Sequence, residues 1–184
     1  MQLIVKDILK MKNKIRVYDI ALMAILAAIL FVLEEVLSFL PNIQLTVFLI
    51  ILYSKKLGPL KASLIVIVHV ILDNLFMNSF NIMYFPFMLI GWLLIPITIS
   101  TIFKSFNSPL KLAILAICYA FIYCWIFIIP NVLFFKIDAL TYFMADIWWE
   151  IVLALSSFLS TILLYNPCSK ILDICLNNYQ QRIY

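Results

Sequence analysis

Six of the nine carboxylates in this 184-residue chain are Glu34, Glu35, Asp73, Asp138, Asp146 and Glu150. Each falls at the end of an apolar segment or in the loop beside it, and all six map to the same side once the segments alternate in direction. Spacing gathers some of them. His69 and Asp73 are four residues apart and share a helical face. Asp146, Trp149 and Glu150 stand at i, i+3 and i+4, so two carboxylates and an indole share one face. Tyr84, Trp92, Tyr123 and Trp125 add rings able to stack on a ligand, while Trp148 points about 100° away from Trp149, toward lipid. Carboxylates and aromatics around a cavity favour a cationic or hydrogen-bond-donating aromatic ligand, through charge pairing and cation–π contact. They disfavour a phosphate, because Lys136 is the one basic residue on that side.

The elements that must position these groups belong to a membrane protein. The chain is 66% hydrophobic and 12% charged, with a mean hydropathy of +1.14. A soluble domain carries about 25% charge. So much apolar surface requires lipid as solvent, and ionisable groups at that depth cost roughly 2.5–3.5 kcal/mol at a helix centre unless they face the bundle or water. Twelve of the thirteen basic residues map to the other side. They hug the ends of apolar segments, which points to the positive-inside rule and not to nucleic acid.

The expectation is an all-α integral membrane protein with six transmembrane helices and both termini cytoplasmic. A basic lead-in, residues 1–17, holds Lys6, Lys10, Lys12, Lys14 and Arg16 and has no cleavage site of a removed signal peptide. The six-helix domain covers 18–166, and a cytoplasmic tail covers 167–184. The crossings run over about 18–40, 43–53, 59–76, 83–103, 110–135 (broken near Pro130-Asn131) and 146–165. The second is short, about 16 Å by helical rise. It must nevertheless cross, because otherwise Lys55, Lys56 and Lys61 would lie outside. Pro59 opens the third helix in the first turn, where a missing N–H is harmless.

Whole classes of function drop out. With only Gly58 and Gly91, no phosphate-binding P-loop can be written, so ATP hydrolysis by that route is excluded. Cys118, Cys124, Cys168 and Cys175 lack metal-ligand spacing and read as small packing residues. No metal, no cofactor and no catalytic residue is expected. On the first helix Ala24 and Ala28 are four apart, with Ala21 and Ala27 nearby. Such a small-residue face lets helices approach closely, either within the bundle or against a partner. Glu35 lies on the alanine face, which leaves Glu34 as the better candidate to face a pocket.

Three stretches carry a resemblance: DIALMAILAAI, PNIQLTVFLIILYSKKLGPLKASLIVIVHVILDNLF and DIWWEIVLALSSFLSTILLYNP. Over roughly residues 18 to 170 the chain resembles the substrate-binding S component of energy-coupling factor (ECF) transporters. The resemblance implies a six-helix fold in the bacterial cytoplasmic membrane and capture of a vitamin or related heterocyclic micronutrient from outside. It also implies docking on a transmembrane coupling subunit driven by two ABC ATPase subunits. The docking motif of the family maps onto Ala24 and Ala28. By position, the ligand site implicates Tyr84, Asn131, Asp146, Trp149 and Glu150, with Asp73 and Asn74 as neighbours and Glu34 from the first helix. The chain lacks the tryptophan-rich outer loop of thiamin-binding members and any riboflavin, biotin or folate pattern, so the cargo is unnamed.

Two rivals come from other classes. One is a six-helix scaffold of the cell-shape machinery, which needs no cavity. The other is an intramembrane enzyme. Glu34-Glu35 is similar to the paired glutamates of CAAX-type membrane proteases, but Phe39 stands where that motif wants Arg, and the lone His69 leaves no second histidine for a metal.

Overall fold

The computed structural model describes residues 17–76 and 81–181, with side chains up to Asn178. The basic lead-in up to Arg16, part of the loop after Phe76, and Arg182 lie outside the described residues. Every regular element among the described residues is a helix: α1 (Val17–Leu37), α2 (Thr46–Leu57), α3 (Pro59–Phe76), α4 (Phe85–Thr101), α5 (Pro109–Ile126), α6 (Ile128–Leu133) and α7 (Ala139–Gln181). Four segments are long and apolar enough to cross a membrane: Val17–Leu37, Pro59–Phe76, Pro109–Leu133 and Ala139–Asn178. Phe85–Thr101 is a shorter apolar helix. Isoleucines 25, 29, 90, 97, 114 and 129 stand exposed around the bundle, as side chains that face lipid do.

Prolines set most of the boundaries. Pro59 is the first residue of α3, straight after Gly58, whose φ of 83° suits glycine. Pro86 and Pro109 likewise sit in the first turns of α4 and α5. The fifth segment breaks at Phe127, between α5 and α6, and not at Pro130 itself. The reason is geometric: a proline lacks the N–H that would reach the carbonyl four residues back, here Ile126, and its ring crowds that carbonyl.

The last helix differs most from expectation. It begins at Ala139 and not at Asp146, and it continues through Pro167 to Gln181. Asp138 starts it: its Oδ2 accepts from the backbone N–H of Thr141 at 3.0 Å and from the Thr141 hydroxyl at 3.3 Å, an N-cap arrangement. Pro167 costs one intrahelical hydrogen bond, but Tyr165, Cys168, Leu172 and Leu176 on either side pack on the core and hold the helix through it. The expected tail at 167 is therefore a continuation of the helix.

The core explains how α2 can be so short. Every residue from Thr46 to Ser54 is buried, so α2 is enclosed on all sides by α1, α3, α4, α5 and α7. Phe48, Ile50 and Ile51 meet Leu30, Ile65, Trp92, Ile95, Ile99 and Leu112 from four other helices. The most extensive helix packing is between α5 and α7, where Ala120 and Cys124 cluster with Leu153 and Ala154.

The two ends of the bundle differ in charge. At one end the lysines of the α2–α3 segment each hold a different helix. Lys56 pairs with Asp173 of α7 at 2.6 Å, and Lys61 pairs with Asp19 of α1 at 2.6 Å. Lys55 donates to the carbonyls of Phe103 and Lys104 at the end of α4, at 3.0 and 3.1 Å. These lysines are structural staples as well as a topological signal. The opposite end holds the carboxylates.

Candidate functional site

At the acidic end a hydrogen-bonded chain joins four helices. Glu34 near the end of α1 accepts from His69 Nε2 of α3 at 2.8 Å and from the Thr46 hydroxyl of α2 at 2.9 Å, both on Oε2. Thr46 Oγ1 also lies 3.0 Å from the side-chain amide of Gln44. One hydroxyl carries a single proton, so the contact with Gln44 is best made by its NH₂ group as donor, with the hydroxyl proton given to Glu34. Gln44 in turn clasps α7: its backbone N–H donates to Ser156 Oγ at 3.1 Å, and Ser156 Oγ donates to the Gln44 carbonyl at 3.0 Å.

This assembly corrects one sequence-level pairing. His69 shares a face with Asp73, but its Nε2 goes to Glu34 on another helix. His69 is 1% exposed, and its Nδ1 has no hydrogen-bond partner among the described residues. Asp73, one turn on, is half-buried and lies in the field of Glu34, Glu35 and His69. Glu34, the better pocket candidate of the pair, turns to His69 and Thr46, while Glu35, equally half-buried, keeps a buried Oε1 without a partner among the described residues. Asn74 turns toward α4. It is buried, and its amide donates to the Val70 carbonyl at 2.8 Å and to the Met88 sulfur at 3.1 Å.

A second centre lies between α5 and α7. Glu150 is wholly buried, and its Oε2 accepts from Trp125 Nε1 at 3.1 Å. Its Oε1 has no partner among the described residues. Asp146 sits one turn away on the same face of α7, half-buried. Trp149, expected beside them, is 46% exposed, and the structure does not bring it to Glu150; Trp125 supplies the indole instead. Trp148 is exposed, as its phase predicted.

Between the two centres stand aromatics. Tyr84 donates its hydroxyl to Asn131 Oδ1 at 2.8 Å and stacks on Phe135 at 5.3 Å. Asn131, in α6, is itself fixed by donating to the Phe127 carbonyl at 2.7 Å. Trp92 and Tyr123 stack at 3.8 Å between ring centroids, and Tyr123 meets Phe127 edge-on at 5.2 Å. Tyr123 lies in the field of Glu34 and Asp73, and Tyr142 in that of Asp146, Glu150 and Tyr84. The stack depends on Gly91: a Cβ there would come within 2.7 Å of Tyr123 Cδ2.

No family model, no curated protein and no solved structure matches this chain. The arrangement must therefore speak through its own chemistry. No group of three or more metal-ligating side chains occurs among the described residues. What the acidic end offers is hydrogen-bond acceptors and aromatic faces, buried and held by packing.

Ala24 and Ala28 are exposed on the outer face of α1, while Ala27 is in the core. A groove of about 420 Å³ flanks the Gln44–Ser156 clasp, lined by Ile43, Leu45 and the α7 residues Val152, Leu155, Ser156, Leu159, Ser160 and Leu163, and it is mostly apolar. Gln44, Thr46 and Ser156 are the members that sequence reasoning missed, and Trp125, read only as a stacking ring, is the donor to Glu150. Gln44 and Thr46 carried one weak signal: they are polar residues at the mouth of an otherwise apolar run.

Proposed function

We propose that the chain is the substrate-capture subunit of an ECF-type importer in the bacterial cytoplasmic membrane. It crosses six times with both termini cytoplasmic, α2 and α4 completing their spans with flanking residues. It binds a vitamin-like heterocycle at the acidic, outward end and performs no catalysis. ATP is hydrolysed by two separate ABC subunits, reached through a transmembrane coupling subunit docked on the Ala24–Ala28 face.

The observation that carries this reading is the polar assembly at the acidic end. Buried polar groups in lipid are expensive unless they are used or satisfied. Glu34, His69, Thr46, Gln44 and Ser156 are tied into one network, whereas Glu150 keeps a bare oxygen facing no protein donor. A bundle that needed only to stand in a membrane would be as stable with apolar residues at these places. The exposed alanine face on α1 supports the docking half of the reading, since small residues allow close helix approach.

The test is co-purification and native mass spectrometry of the full chain expressed with a coupling subunit and its ATPases. The expected result is a four-protein assembly and a small-molecule adduct on the capture chain. Ala24→Leu with Ala28→Leu should abolish the assembly and leave the adduct. A chain that joins no coupling subunit and carries no adduct refutes the reading.

A further inference from the structure

Glu150 has an unusual position for an acid. Its side chain is fully buried between α5 and α7, bonded to Trp125 and one helical turn from Leu153 and Ala154. One oxygen is engaged by a neutral donor, the Trp125 indole, and the other is bare. The nearest carboxyl on its own helix, Asp146, adds negative field and not relief. Among the described residues no Lys, Arg or His forms an ion pair with Glu150. The one lysine at this end is Lys136, exposed in the loop before α7, and the single histidine is spent on Glu34. Elsewhere in the same molecule carboxylates are met by cations, Asp19 by Lys61 and Asp173 by Lys56. Among the described residues Glu150 is the wholly buried carboxyl without a cation, while the half-buried Glu35 also keeps an unpartnered oxygen.

We propose that Glu150 is the charge-recognition group of the site, and that the cargo presents to its free oxygen a positively charged N–H donor of the amidinium or protonated amino-heterocycle class. The proposal rests on the reading of the acidic end as a capture site. A cationic donor supplies both things the buried oxygen lacks, a hydrogen bond and a counter-charge. Trp125 holds the carboxylate in place through the other oxygen, which makes the indole a positioning residue. Its ring lies against Phe121 and Phe143, with centroids 5.8 and 6.4 Å away. A buried carboxyl is held ionised only by a counter-charge, which a neutral cargo does not bring and an anionic cargo opposes.

The test uses the isolated full-length protein in lipid nanodiscs and three flat probes of one shape: benzamidine (cationic), benzamide (neutral) and benzoate (anionic). Binding is read by native mass spectrometry and by melting temperature. Benzamidine should bind at least about tenfold more tightly than either isostere. Glu150→Gln, which keeps the shape and removes the charge, should erase that preference. Trp125→Phe keeps the charge but removes the hydrogen bond that holds the carboxylate, so it should narrow the preference for benzamidine without erasing it. Equal binding of the three probes, no binding of benzamidine at about 10 mM (a dissociation constant weaker than any useful recognition), or a preference that survives Glu150→Gln overturns the proposal. So does a preference lost in Trp125→Phe. The coupling module is not needed in this assay. A chain that prefers the cation but joins no coupling subunit would refute the importer reading alone, and one that assembles without cation preference would refute this proposal alone.

Discussion

Replacing Gly91 by alanine should reverse its effect on stability depending on what stands at position 123. The added Cβ would lie 2.7 Å from Tyr123 Cδ2 and 3.3 Å from Cε2, with Ile126 Cδ1 at an ordinary 3.6 Å. A flexible side chain would swing aside. Tyr123 cannot, because its ring is stacked on Trp92 at 3.8 Å and meets Phe127 at 5.2 Å. Two terms then oppose each other. Alanine in a helix interior is favoured over glycine by roughly 0.5–1 kcal/mol. Overpacking a well-filled contact costs typically 1–3 kcal/mol. Gly91→Ala alone should therefore destabilise by about 0–2.5 kcal/mol. In a Tyr123→Ala background the clash is gone, and the same substitution should stabilise by about 0.5–1 kcal/mol. The coupling between the two positions is then about 1–3 kcal/mol in a double-mutant cycle. Unfolding in mixed micelles, titrated with SDS and followed by tryptophan fluorescence and helical signal, measures all four corners. If Gly91→Ala changes stability by the same amount and sign in both backgrounds, the argument that Gly91 exists to admit the Tyr123 ring is wrong.

Three further outcomes follow from the polar contacts. His69→Ala should cost about 2 kcal/mol or more, below the 3–5 kcal/mol of a fully buried pair because Glu34 is a fifth exposed, and His69→Gln should recover part of it through its amide donor; the same SDS titration reads both. Ser156→Ala removes both hydrogen bonds to the Gln44 backbone, so it should cost about 1–2 kcal/mol and speed hydrogen exchange in the Pro41–Leu45 turn, seen by exchange mass spectrometry. Lys61→Met should destabilise more than Lys56→Met: Asp19 is 8% exposed and Asp173 is 49% exposed, so the second pair is worth about 1 kcal/mol at most, and paired melting curves should separate the two.

The helices were legible in the sequence because lipid demands long apolar runs and because prolines and Gly58 punctuate them. Pro59 opens α3 where its place in the first turn says it should. The misreadings have specific causes. Pro130 acts four residues upstream, on the carbonyl of Ile126, so the break falls at Phe127. Pro167 ends nothing, since neighbours on both sides are anchored in the core. The start of α7 at Ala139 was hidden because Asp138 reads equally as a loop carboxylate and as an N-cap. At the site, spacing along one helix favoured Glu34 over Glu35 and gave the outward turn of Trp148. It could not give partners on other helices. His69 looked paired with Asp73 because sequence shows only its own helix, whereas Glu34 lies across the bundle. Spacing put Trp149 on the face of Glu150 and left Trp125 as a stacking ring, whereas α5–α7 packing brings the Trp125 indole to the carboxylate. Gln44 and Ser156 meet across 112 positions, a separation that no local pattern encodes.

The unbroken run of α7 has a mechanical consequence. At about 1.5 Å per residue its 43 residues make a rod of about 64 Å, roughly twice the thickness of a bilayer core. Glu150 and the Ser156 clasp ride on one arm of this rod, and Asp173, held by Lys56, rides on the other. A tilt of about 10° about its midpoint would carry each tip about 6 Å, in opposite directions. No loop intervenes to absorb that motion; the only softened joint is at Pro167, where one backbone hydrogen bond is missing. The acidic end and the lysine-rich end are therefore joined by one continuous helix that carries Glu150 on one arm and Asp173 on the other.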